Sequence, residues 1–261
     1  MSETRITFLG AAAALPEAGR DTASFLVNGE LLFDCGWCVA QRLLQFGGDP
    51  ADVRTLFFTH CHPDHYMGLP SLLFHRGMST PKGETPPPLT IVGPPDDLPV
   101  IHRLTRDFLQ PERFRRAWHD TELHLLAPGG TWESGRYRIE TFRALHPLTA
   151  VSGRLTDLES GVVIAFSGDT GPNPALVDLA RGADLLIHEA TLAPDLPEER
   201  LRPDHARPQD AARVAAAAEV RLLRLVHFAE QDRAAAAEAA RALFPEAAPA
   251  EEGETLVLRK G

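Results

Sequence analysis

Seven consecutive residues, Thr59-His60-Cys61-His62-Pro63-Asp64-His65, limit what this chain can become more than any other stretch. They follow the apolar run Thr55–Phe58 (TLFF), which reads as a buried strand. Side chains two apart on extended backbone point the same way, so His60 and His62 can hold one ion together. Pro63 turns the chain, and Asp64 and His65 can then face a second ion nearby. Imidazole and carboxylate without thiolate suit zinc or a similar divalent metal. Cys61 lies between the two histidines and is expected to point away from the metals.

Three later residues complete a two-metal set. His146 follows an apolar stretch in FRALHP, Asp169 sits in FSGDTG after GVVIAF, and His227 sits in LVHF after RLLRLV. Each is expected at the end of a strand, where a rigid edge projects a side chain into a shared cleft. Strands are predicted at Arg5–Leu9, at Ser24–Val27 and Glu30–Phe33 around the Asn28-Gly29 turn, at Leu89–Val92, at Asp184–Ile187, at Arg221–Val226 and at Thr255–Leu258. The middle, roughly Glu122 to His146, reads as short strands alternating with Gly-rich turns. Helices are predicted at Cys38–Phe46, Gly68–His75, Val100–Phe108, Asn173–Ala180, Gln209–Glu219 and Glu230–Leu243. Strands grouped in each half, with helices between and around them, imply an α/β fold of two packed sheets covered by helices. No linker is apparent, so residues 1–261 read as a single domain.

Charge and composition remove several classes. The 36 acidic and 26 basic groups leave a net charge of −10, the wrong sign for a non-specific nucleic-acid binder. One local exception, Arg103, Arg106, Arg113, Arg115 and Arg116 beside Trp118, reads as a solvated helix face. With 44% hydrophobic and 24% charged residues the composition is that of a soluble globular protein. No apolar run is long enough to span a membrane. The first residues lack the pattern of a secretion signal, and three cysteines do not build a disulfide scaffold, so a cytoplasmic location is expected. Cys35-Gly36-Trp37-Cys38 has redox-motif spacing, but a structural turn is the simpler reading. Asp34 in that turn is expected to support the metal-binding histidines through hydrogen bonds. His188 is expected to be structural. His75, His102, His119 and His124 lack a motif.

HCHPDH followed by GLP, with SGDT and a later strand-end His, resembles the metallo-β-lactamase fold. The likeness to its ribonuclease Z group runs nearly end to end: FLGAAAALP, LLFDCGWCVAQRLLQFG, RTLFFTHCHPDHYMGLPSLLF, IAFSGDTGPN, ADLLIHEATL, DHARPQDAARVA and LVHF. The resemblance implies a four-layer αβ/βα sandwich. It implies two zinc ions, with manganese or iron able to take such sites. His60, His62 and His146 would bind the first, Asp64, His65 and His227 the second, and Asp169 would bridge them. It also implies that Glu189 and His205 form a carboxylate–imidazole pair beside the metals. A carboxylate fixes the tautomer of an imidazole and supports its protonated form, which suits a general acid.

The implied function is a phosphodiesterase in which a metal-bridging hydroxide attacks phosphorus, with Asp64, Glu189 and His205 as catalytic residues. In the ribonuclease Z group the substrate is the 3′ end of precursor tRNA. Full-length members carry a long arm between the third His motif and the bridging Asp, yet here 169 − 146 leaves only 23 positions. LVHF also continues as AEQDR, where the group shows Ser, Arg and Tyr. A small cyclic phosphodiester is therefore a competing substrate. The alternatives are a thioester or lactone hydrolase of the glyoxalase II type and a non-catalytic binding member. A homodimer is the family tendency.

Overall fold

The computed structural model describes residues 2–260. The first half runs β1 (Thr4–Gly10), β2 (Ser24–Val27), β3 (Leu31–Phe33), α1 (Val39–Gln45), β4 (Thr55–Phe57), α2 (Pro63–Tyr66), α3 (Leu69–Ser79), β5 (Leu89–Gly93), α4 (Leu98–Leu109) and β6 (Thr121–Leu125). The second runs β7 (Thr131–Glu133), β8 (Tyr137–Arg143), β9 (Val151–Asp157), β10 (Val163–Phe166), α5 (Ala175–Ala180), β11 (Leu185–Glu189), α6 (Pro208–Ala217), β12 (Leu223–Val226), α7 (Arg233–Arg241), β13 (Ala247–Pro249) and β14 (Thr255–Leu258). They build two seven-stranded sheets, ordered β14-β1-β2-β3-β4-β5-β6 and β13-β12-β11-β10-β9-β8-β7. The last strand crosses back to pair with β1, so both chain ends close the first sheet.

Alternation along the strands sorts side chains into layers. Leu26, Leu32, Leu56 and Ile91 face outward, where Val39 and Leu43 of α1, Leu69, Leu72 and Leu73 of α3, and Leu98 and Ile101 of α4 cover them. Phe25, Phe33, Phe57 and Val92 face inward and meet Val151, Leu155, Ile164 and Phe166 of the second sheet. The Phe33 and Phe57 rings lie 4.9 and 5.6 Å from that of Phe166. The far face of the second sheet is covered by α5, α6 and α7. Strands buried on both faces carry continuous apolar runs, which is why TLFF and GVVIAF were readable.

Two strands are not legible in the sequence. β9 (VSGRLTD) interrupts its apolar residues with Gly153 and Arg154. Gly153 is required there: a Cβ would lie 2.2 Å from the Phe166 ring. The Arg154 guanidinium reaches over to donate to the carbonyls of Leu179 and Arg181. β13 is three residues long and contains a proline. The predicted helix from Glu230 begins instead at Arg233, after a tight turn over Glu230–Asp232.

Candidate metal centre

Every residue of the centre hangs from the carboxyl end of a strand, where open α/β sheets place their ligand sites. Asp34 directly follows β3, and His227 directly follows β12. Both have left-handed backbone, with φ of 53° and 57°. Such a conformation is uncommon outside glycine and marks a position held by its surroundings. His60 and His62 follow β4, and Pro63 opens the single turn α2 that carries Asp64 and His65. Asp169 follows β10 through Ser167 and Gly168. The loop after β8 is pinned by hydrogen bonds from Leu145 N to Thr170 Oγ1 (2.9 Å) and from Gly171 N to Leu145 O (2.9 Å), which brings His146 against Asp169.

The seven predicted ligands converge. Donor atoms of His60, His62, His146 and Asp169 lie within 4.8 Å of one another, as do those of Asp64, His65, Asp169 and His227. Asp169 belongs to both groups. His60 Nε2 is 3.2 Å from His62 Nδ1 and 3.8 Å from Asp169 Oδ2. His227 Nε2 is 3.2 Å from Asp64 Oδ2 and 3.4 Å from Asp169 Oδ2. His65 Nε2 is 3.3 and 3.6 Å from the same two oxygens. Cys61 points the other way, into the apolar layer under the helices, and burial pushes its thiol up to about 12.

The donor chemistry fits divalent cations. Asp34 Oδ2 accepts from His65 Nδ1 at 2.9 Å, so the Nε2 lone pair is aimed into the cleft. There it meets two carboxylates and has no hydrogen-bond partner among the described residues. His146 Nε2 is likewise buried without a partner. A lone pair against carboxylate oxygens is repulsive unless a proton or a cation lies between them. Electrostatics follow the same geometry. Burial pushes His60 well below its ordinary value, helped by the neighbouring His65, and burial lowers His146 to about 4. Burial opposes ionisation of Asp169, but protonated His227 and His65 outweigh it and hold the carboxyl well below the usual range, while the carboxylates raise both imidazoles against their burial; those protons stand where a cation would.

A third group adjoins these two. Glu189 ends β11 and is buried. Its carboxylate accepts from His205 Nδ1 at 3.0 Å and from the backbone of Thr170 (2.6 Å), Thr191 (3.2 Å) and Ala206 (3.2 Å). The His205 and His227 rings stack, with centroids 5.9 Å apart. Burial opposes protonation of His205, and the bond to Glu189 outweighs it and raises the imidazole above its usual value. The predicted support from Asp34 is present, and it extends to Thr59 N and Thr59 Oγ1, both at 2.8 Å. Sequence reasoning did not single out Thr59, Thr170 or Thr191. Their signal is nearness in sequence: Thr59 and Thr170 adjoin His60 and Asp169, and Thr191 lies two residues beyond Glu189. His188 is buried and donates from Nδ1 to the Glu189 carbonyl (2.7 Å), and the three cysteines are free thiols. The arginine cluster is exposed but is not one helix face: Arg103 and Arg106 lie on α4, whereas Arg113, Arg115 and Arg116 follow its end, where Arg116 donates to the carbonyls of Gly77, Met78 and Thr80.

Residues 30–228 match the beta-lactamase superfamily domain. Ribonuclease Z of Myxococcus xanthus is 30% identical over 88% of this chain and 89% of its own length. Ribonuclease Z of Methanothermobacter thermautotrophicus is 28% identical over 92% of each. Among solved structures, the metallo-beta-lactamase fold protein YhfI of Bacillus subtilis superposes with a TM-score of 0.81 at 23% identity, covering 98% of this chain and 100% of that one. The short form of human tRNase Z gives 0.76 at 25% identity, covering 97% and 98%. The chain belongs to the metallo-β-lactamase-fold superfamily, and within it to the ribonuclease Z-like branch. It is a metal-dependent hydrolase of that branch.

Proposed function

We propose that this chain is a dinuclear zinc phosphodiesterase of the ribonuclease Z type. The observation that carries the reading is the meeting of two donor groups on the shared carboxylate of Asp169. His60, His62 and His146 would hold one ion, Asp64, His65 and His227 the other, and Asp169 both. When bound, such a pair supplies Lewis acidity toward phosphoryl oxygens and makes water nucleophilic near neutral pH. Asp64 orients the attacking water. The buried Glu189 holds His205 protonated and aimed across the cleft. His205 then delivers its Nε2 proton to the departing alkoxide oxygen, a step worth on the order of 10²–10⁴ in rate.

The names of the curated relatives support an RNA phosphodiester as substrate, that of the human structure supports a tRNA, and the resemblance to the ribonuclease Z group narrows it to the 3′ end of precursor tRNA. A second reading, a small cyclic phosphodiester, is favoured by one observation. The chain between His146 and Asp169 is spent on the β9–β10 hairpin, whose strands are joined by the five residues 158–162, and no long arm emerges there. One domain over residues 1–261 is supported by the pairing of β14 with β1.

Elemental analysis combined with a substrate panel tests the reading. Two zinc ions per chain, cleavage of bis-p-nitrophenyl phosphate and no thioester cleavage are expected. Thioester cleavage alone overturns it in favour of a glyoxalase II-type enzyme. Endonucleolytic release of the precursor tRNA trailer, set against cleavage of cyclic nucleotides only, decides between the substrates.

A further inference from the structure

We infer that Thr191 is a positioning residue that ties the metal ligand His227 to the Glu189–His205 pair. The inference rests on the metal reading above. Thr191 Oγ1 lies 2.5 Å from Glu189 Oε2 and 2.8 Å from His227 Nδ1. A hydroxyl has one proton to give. The polar neighbours of the Glu189 carboxylate are all donors, so the Thr191 proton goes to Oε2. The Thr191 oxygen is then free only to accept, and it takes the proton of His227 Nδ1. That assignment fixes the His227 tautomer, with the Nε2 lone pair turned toward Asp64 and Asp169. The second hydrogen bond of a ligating imidazole sets its orientation and basicity in this way.

The other half of the molecule repeats the pattern with different residues. Thr59 Oγ1 donates to Asp34 Oδ2 at 2.8 Å and stands 3.2 Å from His60 Nδ1. Asp34 in turn accepts from His65 Nδ1. In each half a carboxylate at a strand end holds one histidine directly and a second through a threonine hydroxyl. In the first half both histidines are predicted metal ligands. In the second, one is His227 and the other is His205. Thr191 therefore makes the geometry of the acid depend on that of the metal ligand, because both report to one Glu189 oxygen pair.

The test compares Thr191→Val, which keeps shape and removes the hydroxyl, with Thr191→Ser, which restores it. Thr191→Ala serves as a second hydroxyl-free variant should the valine protein not fold. Zinc affinity is read by competition with a chromophoric chelator, without any substrate. Thr191→Val is expected to weaken one of the two ions by about 10–100-fold and leave the other unchanged. Its kcat on an alkyl phosphodiester should fall with KM unchanged, and Thr191→Ser should recover both within about threefold. Two ions bound with wild-type affinity in the valine or alanine protein, or serine behaving as valine does, would overturn the role of Thr191 alone. A wild-type protein that takes up no divalent ion overturns the metal reading itself.

Discussion

His205 Nδ1 lies 3.0 Å from Glu189 Oε1, and both side chains are buried beside His227. Neither belongs to the two groups that share Asp169. Removing the imidazole should therefore spare the predicted metal ligands. His205→Ala is expected to bind zinc as the parent does. Its kcat on a diester with an alkyl leaving group should drop by about 10²–10⁴. On bis-p-nitrophenyl phosphate, whose leaving group needs no proton, the loss should be small. Steady-state kinetics on the two substrates, paired with metal analysis, check this. Full activity on the alkyl ester would remove His205 from the reaction.

Asp34 occupies a left-handed backbone position and takes three donors: Thr59 N, Thr59 Oγ1 and His65 Nδ1. Asparagine tolerates that backbone, so Asp34→Asn isolates the charge and one acceptor. The amide must turn an N–H toward one of these donors. We expect zinc affinity to fall by about 10–100-fold at the site using His65. Chelator competition reads the change. Unaltered affinity would show that backbone packing alone orients His65.

The convergence of the seven predicted ligands was anticipated because their places after apolar runs are short-range information, whereas the contact of Glu189 with His205 was expected only from the family resemblance. TLFF ends two residues before His60, and LLRLV ends one residue before His227. The supporting threonines were not legible. A threonine beside a histidine is unremarkable until the fold brings Asp34 or Glu189 to meet its hydroxyl. β9 was hidden for a similar reason. Gly153 weakens the apolar pattern, and its cause is the ring of Phe166, which pairs with it across the sheet. Long-range contacts of this kind leave no periodic trace in the sequence.

Gly171 touches the backbone that carries His205. A Cβ there would lie 1.8 Å from Pro203 O, two residues before His205. Backbone does not yield as a side-chain tip does. Gly171→Ala should displace the loop at 203–205 and cost about 1–3 kcal/mol of stability by overpacking. Activity is expected to mimic that of His205→Ala: the alkyl diester suffers, and the p-nitrophenyl diester and the metal content are spared. Denaturant titration and the two-substrate comparison test it. Equal loss on both substrates would place the damage in the ligands instead.

Arg76 is fully buried without a carboxylate partner among the described residues, and it donates from Nε to His119 Nε2 at 3.0 Å. Its other guanidinium nitrogens donate to the carbonyls of Pro50, Ala51, Val53 and Pro87. His119 must accept, so it is neutral in the folded state, and burial beside that guanidinium lowers it to about 4. The ordinary value is about 6.5. Because the folded value is the lower one, the stabilisation is whole above pH 6.5 and is lost as pH falls toward 4. At pH 5 the loss is about 2 kcal/mol at 1.36 kcal/mol per unit. His119→Gln keeps an acceptor for Arg76 and has no proton to gain. The metal-site histidines titrate alike in both proteins, so the difference in urea midpoint between parent and variant isolates His119. That difference should shift against the parent on going from pH 7.5 to 5.0, and a pH-independent difference would contradict the neutral assignment.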